Sequence, residues 1–357
     1  MIKVLNHYAF KDNVKDIKPY GNGNINKTYL VETFGNDKYI LQEINTKVFK
    51  KPKEVMKNIE MVTTHIRNAH IENNLSSDNA VLEIVYTNNN DSYVKINHQY
   101  WRAYKFVNNS ETYETTEDPN LFKQVGIAIG AFQKFLNDFE PNKLFVTIPD
   151  FHNTPKRYEA LCKAIESDKY NRAIDVFHEI KFIYDRKDRL SIITDALDND
   201  EIPIRVSHND TKLNNVMIDK TTKKAVCIID LDTVMPGSVL YDFGDAIRIG
   251  ASASNEDESD LSKIKLDLPL FEAFTEGFLS EMSEILTDTE KKLLVDSVWV
   301  ITMEITIRFL TDYLNNDQYF RIDYPKHNLT RVYAQMKLVE EIELCRDKMI
   351  AFIDSVK

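Results

Sequence analysis

Apolar and polar residues alternate with a period of two through much of the first third of the chain, which is the pattern of half-buried β-strands. Strand-like runs of this kind cover residues 27–34, 38–44, 81–87, 92–96 and 99–107. Between the second and third runs, Val55, Ile59, Val62 and Ile66 follow Pro52 at the spacing of an amphipathic helix. Short turns join most of the strands, so we expect an antiparallel sheet with one helix packed against it.

From residue 118 onward, apolar residues recur at helical spacing, and long helices are predicted. The predicted helices cover residues 119–139, 155–168, 187–198, 263–286, 288–315 and 328–356, with one short strand at 225–229. The fold class is therefore α+β, with a small β-rich N-terminal domain over 1–107 and a larger, mainly helical domain over 108–357. A cluster of Asn, Ser, Thr and Glu at 107–117 marks the boundary.

Composition and charge narrow the class of protein. The chain has 357 residues, of which 43% are hydrophobic and 28% charged, so it should fold into two globular domains. Its net charge of -11 argues against a nucleic-acid partner, because binding to phosphate backbones depends on clustered Lys and Arg. The three cysteines form no CxxC pair and predict neither a zinc site nor a disulfide framework. With no signal-peptide pattern and no apolar run long enough to cross a bilayer, we expect a cytoplasmic protein without a membrane partner; the sequence leaves its oligomeric state open.

The strongest chemical signal is the segment SHNDTKLNNV at 207–216, which has the spacing HxDxKxxN. Phosphoryl transfer requires a carboxylate that orients the attacking hydroxyl and accepts its proton, and a cation that offsets charge on the transferred group. Asp210 and Lys212 are the candidates for these two roles. Asn215 is a candidate magnesium ligand, and His208 is the group expected to fix the loop. The four residues together predict the catalytic loop of a phosphotransferase.

An aspartate at the end of the next predicted strand extends this pattern. Apolar residues precede Asp230, and a carboxylate at the end of a buried strand needs a partner, for which a bound cation is the natural choice. Asp232 is either a supporting group or an exposed acid. Asp242 lies in the segment YDFGDAIR, which contains the letters DFG of a metal-binding motif of protein kinases. Because it follows a Pro236-Gly237 turn rather than the strand, we predict that it is a structural acceptor that holds the catalytic loop.

A second signal is the segment GNGNIN at 21–26, directly before the first predicted strand. Gly21, Gly23 and Asn24 would let the backbone approach a phosphate closely. A turn rich in Gly and Asn without a ligand is the other interpretation. The position of the segment at the front of a β-rich domain favours phosphate binding.

These residues resemble the aminoglycoside phosphotransferase and choline kinase superfamily, which has a protein-kinase-like fold, and within it the bacterial N-acetylhexosamine 1-kinases. The resembling blocks span most of the chain and are GNGNINKTYLV, YILQEINTKVF, EVMKNIEMVTTHIR, YWRAYKFV, SHNDTKLNNVMID, CIIDLDTVMPGSVLYDFGDAIRIGA and IRFLTDYLNNDQYF. The resemblance implies phosphorylation of the anomeric hydroxyl of N-acetylglucosamine or N-acetylgalactosamine with ATP and Mg²⁺. Asp210 would be the catalytic aspartate, and Asn215 and Asp230 the magnesium ligands.

The resemblance also implies a substrate-binding role for Arg308, which lies in an otherwise apolar predicted helix. An unpaired guanidinium would be costly there, so Arg308 must meet an acid, a carbonyl or a ligand. A structural salt bridge and a substrate contact are both open from the residues alone. Tyr319 and Phe320 follow as rings that would stack on a sugar, although we expect at least one of them to pack in the core.

The N-terminal domain, which is expected to bind the nucleotide, departs at one position from the sequence pattern of kinases with this fold. ATP should lie between the two domains, with its adenine near Tyr104, Phe106 and Val107. Kinases of this fold carry a Lys on the third strand, paired with a helix Glu, whereas this chain has Gln42 there and Glu60 as the candidate partner. Gln42 brings no charge to a phosphate, and Lys27 is a candidate to supply one.

Two other functions fit the same motifs. A kinase of the same fold acting on choline, homoserine or an aminoglycoside would share the catalytic loop, and a strongly acidic substrate pocket would favour a cationic acceptor. A catalytically inactive nucleotide-binding regulator is supported only by the missing strand Lys, and Asp210, Asn215 and Asp230 argue against it. The leading prediction is an N-acetylhexosamine 1-kinase.

Overall fold

The computed structural model describes residues 2–21, 25–76, 78–252 and 254–356, which form two compact units. The first unit comprises Met1–Thr112, Phe135–Pro149 and Asn215–Pro236. The second comprises Tyr113–Lys134, Asp150–Asn214 and Gly237–Lys357. Each unit is assembled from three stretches of chain, whereas the sequence predicts a single boundary at residue 107.

Strands concentrate in the first unit and long helices in the second. The strands are β1 (Val14–Pro19), β2 (Lys27–Thr33), β3 (Lys38–Ile44), β4 (Val94–Ile96), β5 (Gln99–Lys105), β6 (Ser110–Glu111), β7 (Arg205–Ser207), β8 (Val216–Asp219), β9 (Ala225–Ile228) and β10 (Met235–Gly237). The α-helices are α1 (Ile2–Leu5), α2 (Pro52–Glu72), α3 (Pro119–Phe135), α4 (Thr154–Ser167), α5 (Phe177–Tyr184), α6 (Ile192–Asp198), α7 (Val239–Gly250), α8 (Leu268–Met282), α9 (Asp288–Leu314) and α10 (His327–Ser355).

The first unit is built on a five-stranded antiparallel sheet of order β1-β2-β3-β5-β4. Strand alternation divides its residues between two faces, as expected for a period of two. Leu41 and Ala103 are cross-strand partners on one face and pack with Tyr8 and Trp101 in a buried apolar cluster. Gln42 and Arg102 are cross-strand partners on the other face. A smaller antiparallel sheet, of order β6-β8-β9, belongs to the same unit.

Two parts of this unit differ from the sequence-based prediction. Strand β1 was not predicted, because VKDIKP has weak alternation and its side chains are mostly exposed. The predicted strand at 81–87 is wrong: the segment makes only isolated bridges, Ile84 with Tyr104 and Thr87 with Tyr8. Since β4 already pairs with the beginning of β5, only the end of that edge is left for the 81–87 segment, and no continuous ladder forms.

The second unit is organised around α9, which packs against α4, α7 and α10. Its residues are buried on all sides from Leu294 to Ile307, the pattern of a central helix. A capping box defines its start: Thr287 accepts from the Glu290 backbone N–H at 3.1 Å, and the Glu290 carboxylate accepts from the Thr287 N–H at 2.8 Å. This cap explains why the predicted start at residue 288 is correct, and the predicted end at 315 differs from the observed end by one residue.

Helix α7 was not predicted, because its sequence VLYDFGDAIRIG contains two glycines and two aspartates, which lower helix propensity. Packing against α9 compensates for that cost. A Cβ at Gly244 would lie 2.6 Å from the carbonyl oxygen of Ser297, so only glycine allows the two backbones to approach this closely. Ser238 caps the helix by accepting from the Leu240 N–H at 3.2 Å.

Of the remaining predicted helices, 155–168 and 328–356 are present as α4 and α10, each shifted by one residue, and the other three differ more from their predicted bounds. The 119–139 prediction corresponds to α3, and the 263–286 prediction corresponds to α8, which begins at the N-cap Asp267. The 187–198 prediction is divided into a 3-10 turn at Lys187–Arg189 and α6. Within the described ranges, none of the helices has the length and apolar character needed to span a bilayer.

Candidate active site

The catalytic loop, defined here as residues 207–214, lies in the second unit and follows β7. Asp242 of α7 holds its first residues. Its fully buried carboxylate accepts from the backbone N–H groups of His208 at 2.9 Å and Asn209 at 2.8 Å, and from the Ser207 hydroxyl at 2.8 Å. Gln133 of α3 donates a fourth hydrogen bond at 2.6 Å. Asp242 is therefore a structural acceptor for the loop, as predicted from its place in the sequence.

Burial raises the pKa of Asp242, and the nearby His208 and the donors from the loop oppose that shift. The next turn of α7 continues the support. Asp245 accepts from the Thr211 N–H at 3.1 Å, and the Thr211 hydroxyl donates to the Asp242 carbonyl oxygen at 2.6 Å. Sequence reasoning missed Gln133, Thr211 and Asp245. The i, i+3 spacing of Asp242 and Asp245 was the available signal, since it places both on one helix face.

Asp210 and Lys212 form an ion pair of 3.1 Å on the accessible side of the loop, with 26% and 37% of their side chains exposed. His208, in contrast, is fully buried, and its ring meets the ring of Phe132 edge-on at 5.7 Å. The Asp210 N–H donates to its Nδ1 at 3.3 Å. His208 thus braces the loop from inside, whereas the side chains of Asp210 and Lys212 are partly exposed to solvent. The catalytic roles of all three remain predictions.

The two predicted magnesium ligands, Asn215 and Asp230, lie in the first unit. The backbone N–H of Ile229 donates to the backbone carbonyl oxygen of Asn215 at 2.8 Å. This hydrogen bond fixes Asn215 beside the residue that precedes Asp230. Asp230 adopts a left-handed backbone conformation, with φ of 62°, that ends the strand region and starts a 3-10 turn at Leu231–Thr233. An amide and a carboxylate oxygen fit Mg²⁺, which kinases bind through one or two protein groups and the phosphates of the nucleotide.

Asp232, two residues further on, is buried with 2% exposure and is not an exposed acid. Both of its oxygens accept from the guanidinium of Arg102, with an Nη2–Oδ2 distance of 2.9 Å, and Oδ2 also accepts from Asn26 at 2.7 Å. Arg102 is 1% exposed and donates from Nε to Gln42 at 2.9 Å. Gln42 in turn donates to the Thr28 hydroxyl at 3.0 Å, so both ends of its amide are engaged within the sheet.

The predicted pairing of Gln42 with Glu60 is wrong. Glu60 forms an ion pair with Lys57 at 3.3 Å, one turn away on the same helix, because Gln42 has no charge to offer it. Lys27 pairs with Glu43 at 3.1 Å and is largely exposed. The charge nearest to Gln42 comes from Arg102 on the adjacent strand, a partner that no local pattern in the sequence indicated.

The residues predicted to meet the nucleotide differ in their accessibility. Gly21 has a φ of +76°, and a Cβ there would meet no atom of the described residues within 4 Å. Gly23 and Asn24 lie outside the described residues. The ring of Tyr104 is buried at 5.3 Å from the Arg102 guanidinium and is closed to a ligand. Phe106 is half-buried, and Val107 is buried.

A second polar cluster lies on α9 within the second unit, where Glu304, Arg308 and Asp312 follow one another at four-residue spacing along one face. Glu304 is buried and accepts from His152 at 3.1 Å and from the Thr154 hydroxyl at 3.0 Å. Burial alone would raise the pKa of Glu304, but His152 and the neighbouring arginines outweigh it and lower this pKa. Each oxygen of this carboxylate therefore accepts one hydrogen bond.

Two arginines flank this carboxylate without pairing to it. Arg308 is half-buried, and its guanidinium lies 5.8 Å from the ring of Tyr319 and 5.5 Å from that of Phe320. It makes no hydrogen bond or ion pair with any residue that the structure describes. Arg157 donates to the Phe151 carbonyl oxygen at 2.9 Å, but its buried Nε has no partner in the described part of the chain. Burial and the proximity of Arg308 lower the pKa of Arg157.

The loop that carries Tyr319 is fixed by Asp312. Its carboxylate accepts from the backbone N–H groups of Gln318, Tyr319 and Phe320 at 2.9, 2.8 and 3.0 Å. The ring of Phe320 packs at 4.6 Å from that of Phe309, whereas Tyr319 is 71% exposed. One ring is thus a packing residue, as predicted, and the other is available to a ligand beside Arg308.

Solved structures with the same fold include several small-molecule kinases. A microcompartment-associated aminopropanol kinase matches with a TM-score of 0.64 and 15% identity, covering 97% of this chain and 96% of its own. An aminoglycoside phosphotransferase from Alicyclobacillus acidocaldarius subsp. acidocaldarius gives 0.60 and 12%, covering 100% and 95%. A spectinomycin phosphotransferase in complex with ADP and spectinomycin gives 0.53 and 13%, covering 98% and 95%. The predicted kinase-like α+β fold, with an antiparallel sheet lobe and a larger helical lobe, is confirmed.

The phosphotransferase enzyme family is the family to which the chain belongs, since a sequence model of that family matches residues 16–265. This range is more than two thirds of the chain and contains the catalytic loop, Asn215 and Asp230. The protein is therefore a phosphotransferase.

Proposed function

We propose that the protein transfers the γ-phosphoryl group of ATP to the anomeric hydroxyl of an N-acetylhexosamine, N-acetylglucosamine or N-acetylgalactosamine. The observation that carries this proposal is the guanidinium of Arg308, whose donors meet no hydrogen-bond partner among the described residues and which lies beside the exposed ring of Tyr319. A sugar offers hydroxyl and acetamide oxygens to the donors and a flat face to the ring. The resemblance of the block IRFLTDYLNNDQYF to N-acetylhexosamine 1-kinases supports the same acceptor.

Each candidate site residue has a separate role in the proposed phosphoryl transfer. Asp210 orients the anomeric hydroxyl and accepts its proton as the oxygen attacks the γ-phosphorus in line. Lys212, paired with Asp210 at 3.1 Å, offsets negative charge on the transferred group. Asn215 and Asp230 would hold Mg²⁺, which when bound neutralises charge on the nucleotide phosphates. His208 and Asp242 keep the loop in one conformation and touch neither substrate.

The charges around Arg308 favour a neutral phosphoryl acceptor over a cationic one. Choline, ethanolamine, aminopropanol and aminoglycosides all carry positive charge, and a cation about 6 Å from a guanidinium is repelled by about 3 kcal/mol at an effective dielectric constant of about 20. Arg157 and Arg308 supply two such charges, and the carboxylates of Glu304 and Asp312 are both already hydrogen-bonded within the protein. The alternative of an inactive regulator is opposed by the accessible pair of Asp210 and Lys212.

A substrate panel combined with one substitution tests this proposal. We expect ATP consumption with N-acetylglucosamine and N-acetylgalactosamine, and a product that has lost its reducing end. Arg308→Ala should raise the Michaelis constant for the sugar, or lower turnover, by about tenfold or more, because the polar groups of the sugar lose their partner. ATP affinity measured without sugar should stay nearly constant.

Arg189→Ala is the matched control, since Arg189 also lies over a ring, that of Trp299 at 4.2 Å, but is paired with Asp296. It should leave the Michaelis constant for the sugar unchanged. A panel in which only choline or an aminoglycoside is consumed would show that the acceptor is wrong. Equal loss of sugar and ATP binding in Arg308→Ala, together with a lower melting temperature, would assign Arg308 to the fold instead.

The contacts of Asp312 predict that its removal weakens sugar binding. Asp312→Ala removes the acceptor of three successive backbone N–H groups and should release the loop that carries Tyr319. We expect the Michaelis constant for the sugar to rise by about tenfold and the free energy of unfolding to fall by about 2 kcal/mol or more, as for lost hydrogen bonds to a charged group. Steady-state kinetics and denaturant unfolding measure the two effects. A stability loss with unchanged sugar kinetics would contradict the positioning role.

A further inference from the structure

The first unit contains a buried ion pair that joins the five-stranded sheet to the turn after β9. Arg102 of β5 makes a bidentate contact with Asp232, and the two side chains are only 1% and 2% exposed. Burial alone would lower the pKa of Arg102, but Asp232, Tyr104 and, to a smaller extent, Asp230 outweigh it and raise this pKa. The electrostatic field of the guanidinium therefore reaches Asp230 as well as its bonded partner.

The contacts of Arg102 define what it can do. Its Nε donates to Gln42, Nη1 and Nη2 both donate to Asp232, and Nη1 also contacts the Met56 sulfur of α2 at 3.9 Å. The guanidinium could reach a phosphate only by leaving Asp232, which would strand a buried carboxylate at a large cost. A direct nucleotide contact is therefore excluded, and an effect through the turn remains.

The turn held by Arg102 begins at the predicted metal ligand. Asp230 is the left-handed residue that precedes the 3-10 turn Leu231–Thr233, and Asp232 is the middle residue of that turn. Asn58 of α2 fixes the next residue by donating to the Val234 carbonyl oxygen at 2.9 Å. The backbone after Asp230 is thus held at two successive points, one from the sheet and one from α2.

We propose that Arg102 of the strand next to β3 is a positioning residue for Asp230. By binding Asp232 it fixes the direction in which the Asp230 carboxylate leaves the chain, and its charge limits the repulsion between the two aspartates. The proposal rests on the role of Asp230 as a metal ligand in the proposed function. Arg102 acts through Asp232 and not on the reacting atoms.

Metal and nucleotide binding without any acceptor gives the cleanest test. Mn²⁺ would be titrated into the protein with ADP, and free Mn²⁺ followed by electron paramagnetic resonance, beside thermal unfolding of each variant. Arg102→Lys keeps the charge but cannot form the bidentate fork, so we expect about tenfold weaker Mn²⁺ binding in the ADP complex. Arg186→Lys is the control, because Arg186 makes a bidentate pair with Glu343 in the second unit, at 2.9 and 2.8 Å. It should leave Mn²⁺ binding within about twofold of the wild type.

A double variant separates positioning from stability. Arg102→Met with Asp232→Leu replaces the buried pair by apolar groups, a change that usually preserves stability. The proposal expects that the melting temperature stays near that of the wild type while Mn²⁺ binding with ADP remains about tenfold weaker. Wild-type Mn²⁺ affinity in this double variant, or in a folded Arg102→Lys variant, would overturn the positioning role. If the wild-type protein bound no Mn²⁺ with ADP, the proposed kinase function itself would fall, which is a distinct result.

Discussion

Replacing Asp210 by alanine is expected to lower kcat by 100-fold or more, on the order of what removal of a positioned general base costs. Asp210 is the accessible carboxylate of the catalytic loop, 26% exposed and paired with Lys212. The loop itself is held from behind by Asp242 and Asp245, so its backbone should persist when the Asp210 side chain is removed. The measurement is kcat with ATP and N-acetylglucosamine, alongside the melting temperature.

Asp185→Ala is a suitable control for this experiment, because Asp185 makes an exposed ion pair with Lys181 on a helix end far along the chain from the loop. It should leave kcat unchanged. Near-normal turnover in a folded Asp210→Ala variant would refute the assignment of the base. A large loss in both variants would point to a general effect on the fold.

The second large effect is a different response of Asp230→Asn and Asp242→Asn to Mg²⁺. Asp230→Asn should raise the Mg²⁺ concentration needed for half-maximal activity by about 10- to 100-fold, because the amide has lost the charge that the cation meets. High Mg²⁺ should restore much of the activity. Each oxygen of Asp242 accepts two hydrogen bonds. In Asp242→Asn an NH₂ group replaces one of these oxygens, so two donors of the surrounding residues lose their acceptor. This substitution should lower the free energy of unfolding by about 3 kcal/mol, with no rescue by Mg²⁺.

Magnesium titrations and thermal unfolding of both variants check this prediction. The two variants control for each other, since each replaces one carboxylate by an amide of the same shape. Rescue of Asp242→Asn by Mg²⁺, with none for Asp230→Asn, would show that the roles are reversed. An Asp242→Asn variant that keeps its stability would contradict the role of Asp242 as the acceptor that holds the loop.

Local signals in the sequence were sufficient for the elements that are stabilised locally. The β2–β3 hairpin has clear alternation on both sides of a Gly-Asn-Asp turn, and its observed strands, Lys27–Thr33 and Lys38–Ile44, agree with the predicted runs within one residue. Helix α9 was placed correctly because its capping box and its apolar length are both visible in the sequence. Helix α7 depends instead on contact with α9, and no propensity reveals a helix that tertiary packing creates.

The same distinction applies to the candidate site. The spacing HxDxKxxN identified the loop, and the order of strand and aspartate favoured Asp242 as its support. The Arg102–Asp232 pair joins residues 130 positions apart, and Gln133 reaches Asp242 across 109 positions. A side chain that meets its partner only in the folded chain leaves no periodic trace in a single sequence. The roles of Arg157 and Asp312 were missed for the same reason.

The place of the DFG letters in α7 has a consequence for how the enzyme is controlled. In protein kinases the packing of the DFG phenylalanine distinguishes active from inactive states. Here Phe243 is fully buried and lies within 6.4 Å of the rings of Phe271, Phe274 and Phe278, and Asp242 beside it carries four hydrogen bonds. Rotating this segment would unfold a helix, so the enzyme has no off state of that kind. We therefore expect that inhibitors which select a displaced DFG segment in protein kinases find no matching conformation of residues 242–244 in this protein.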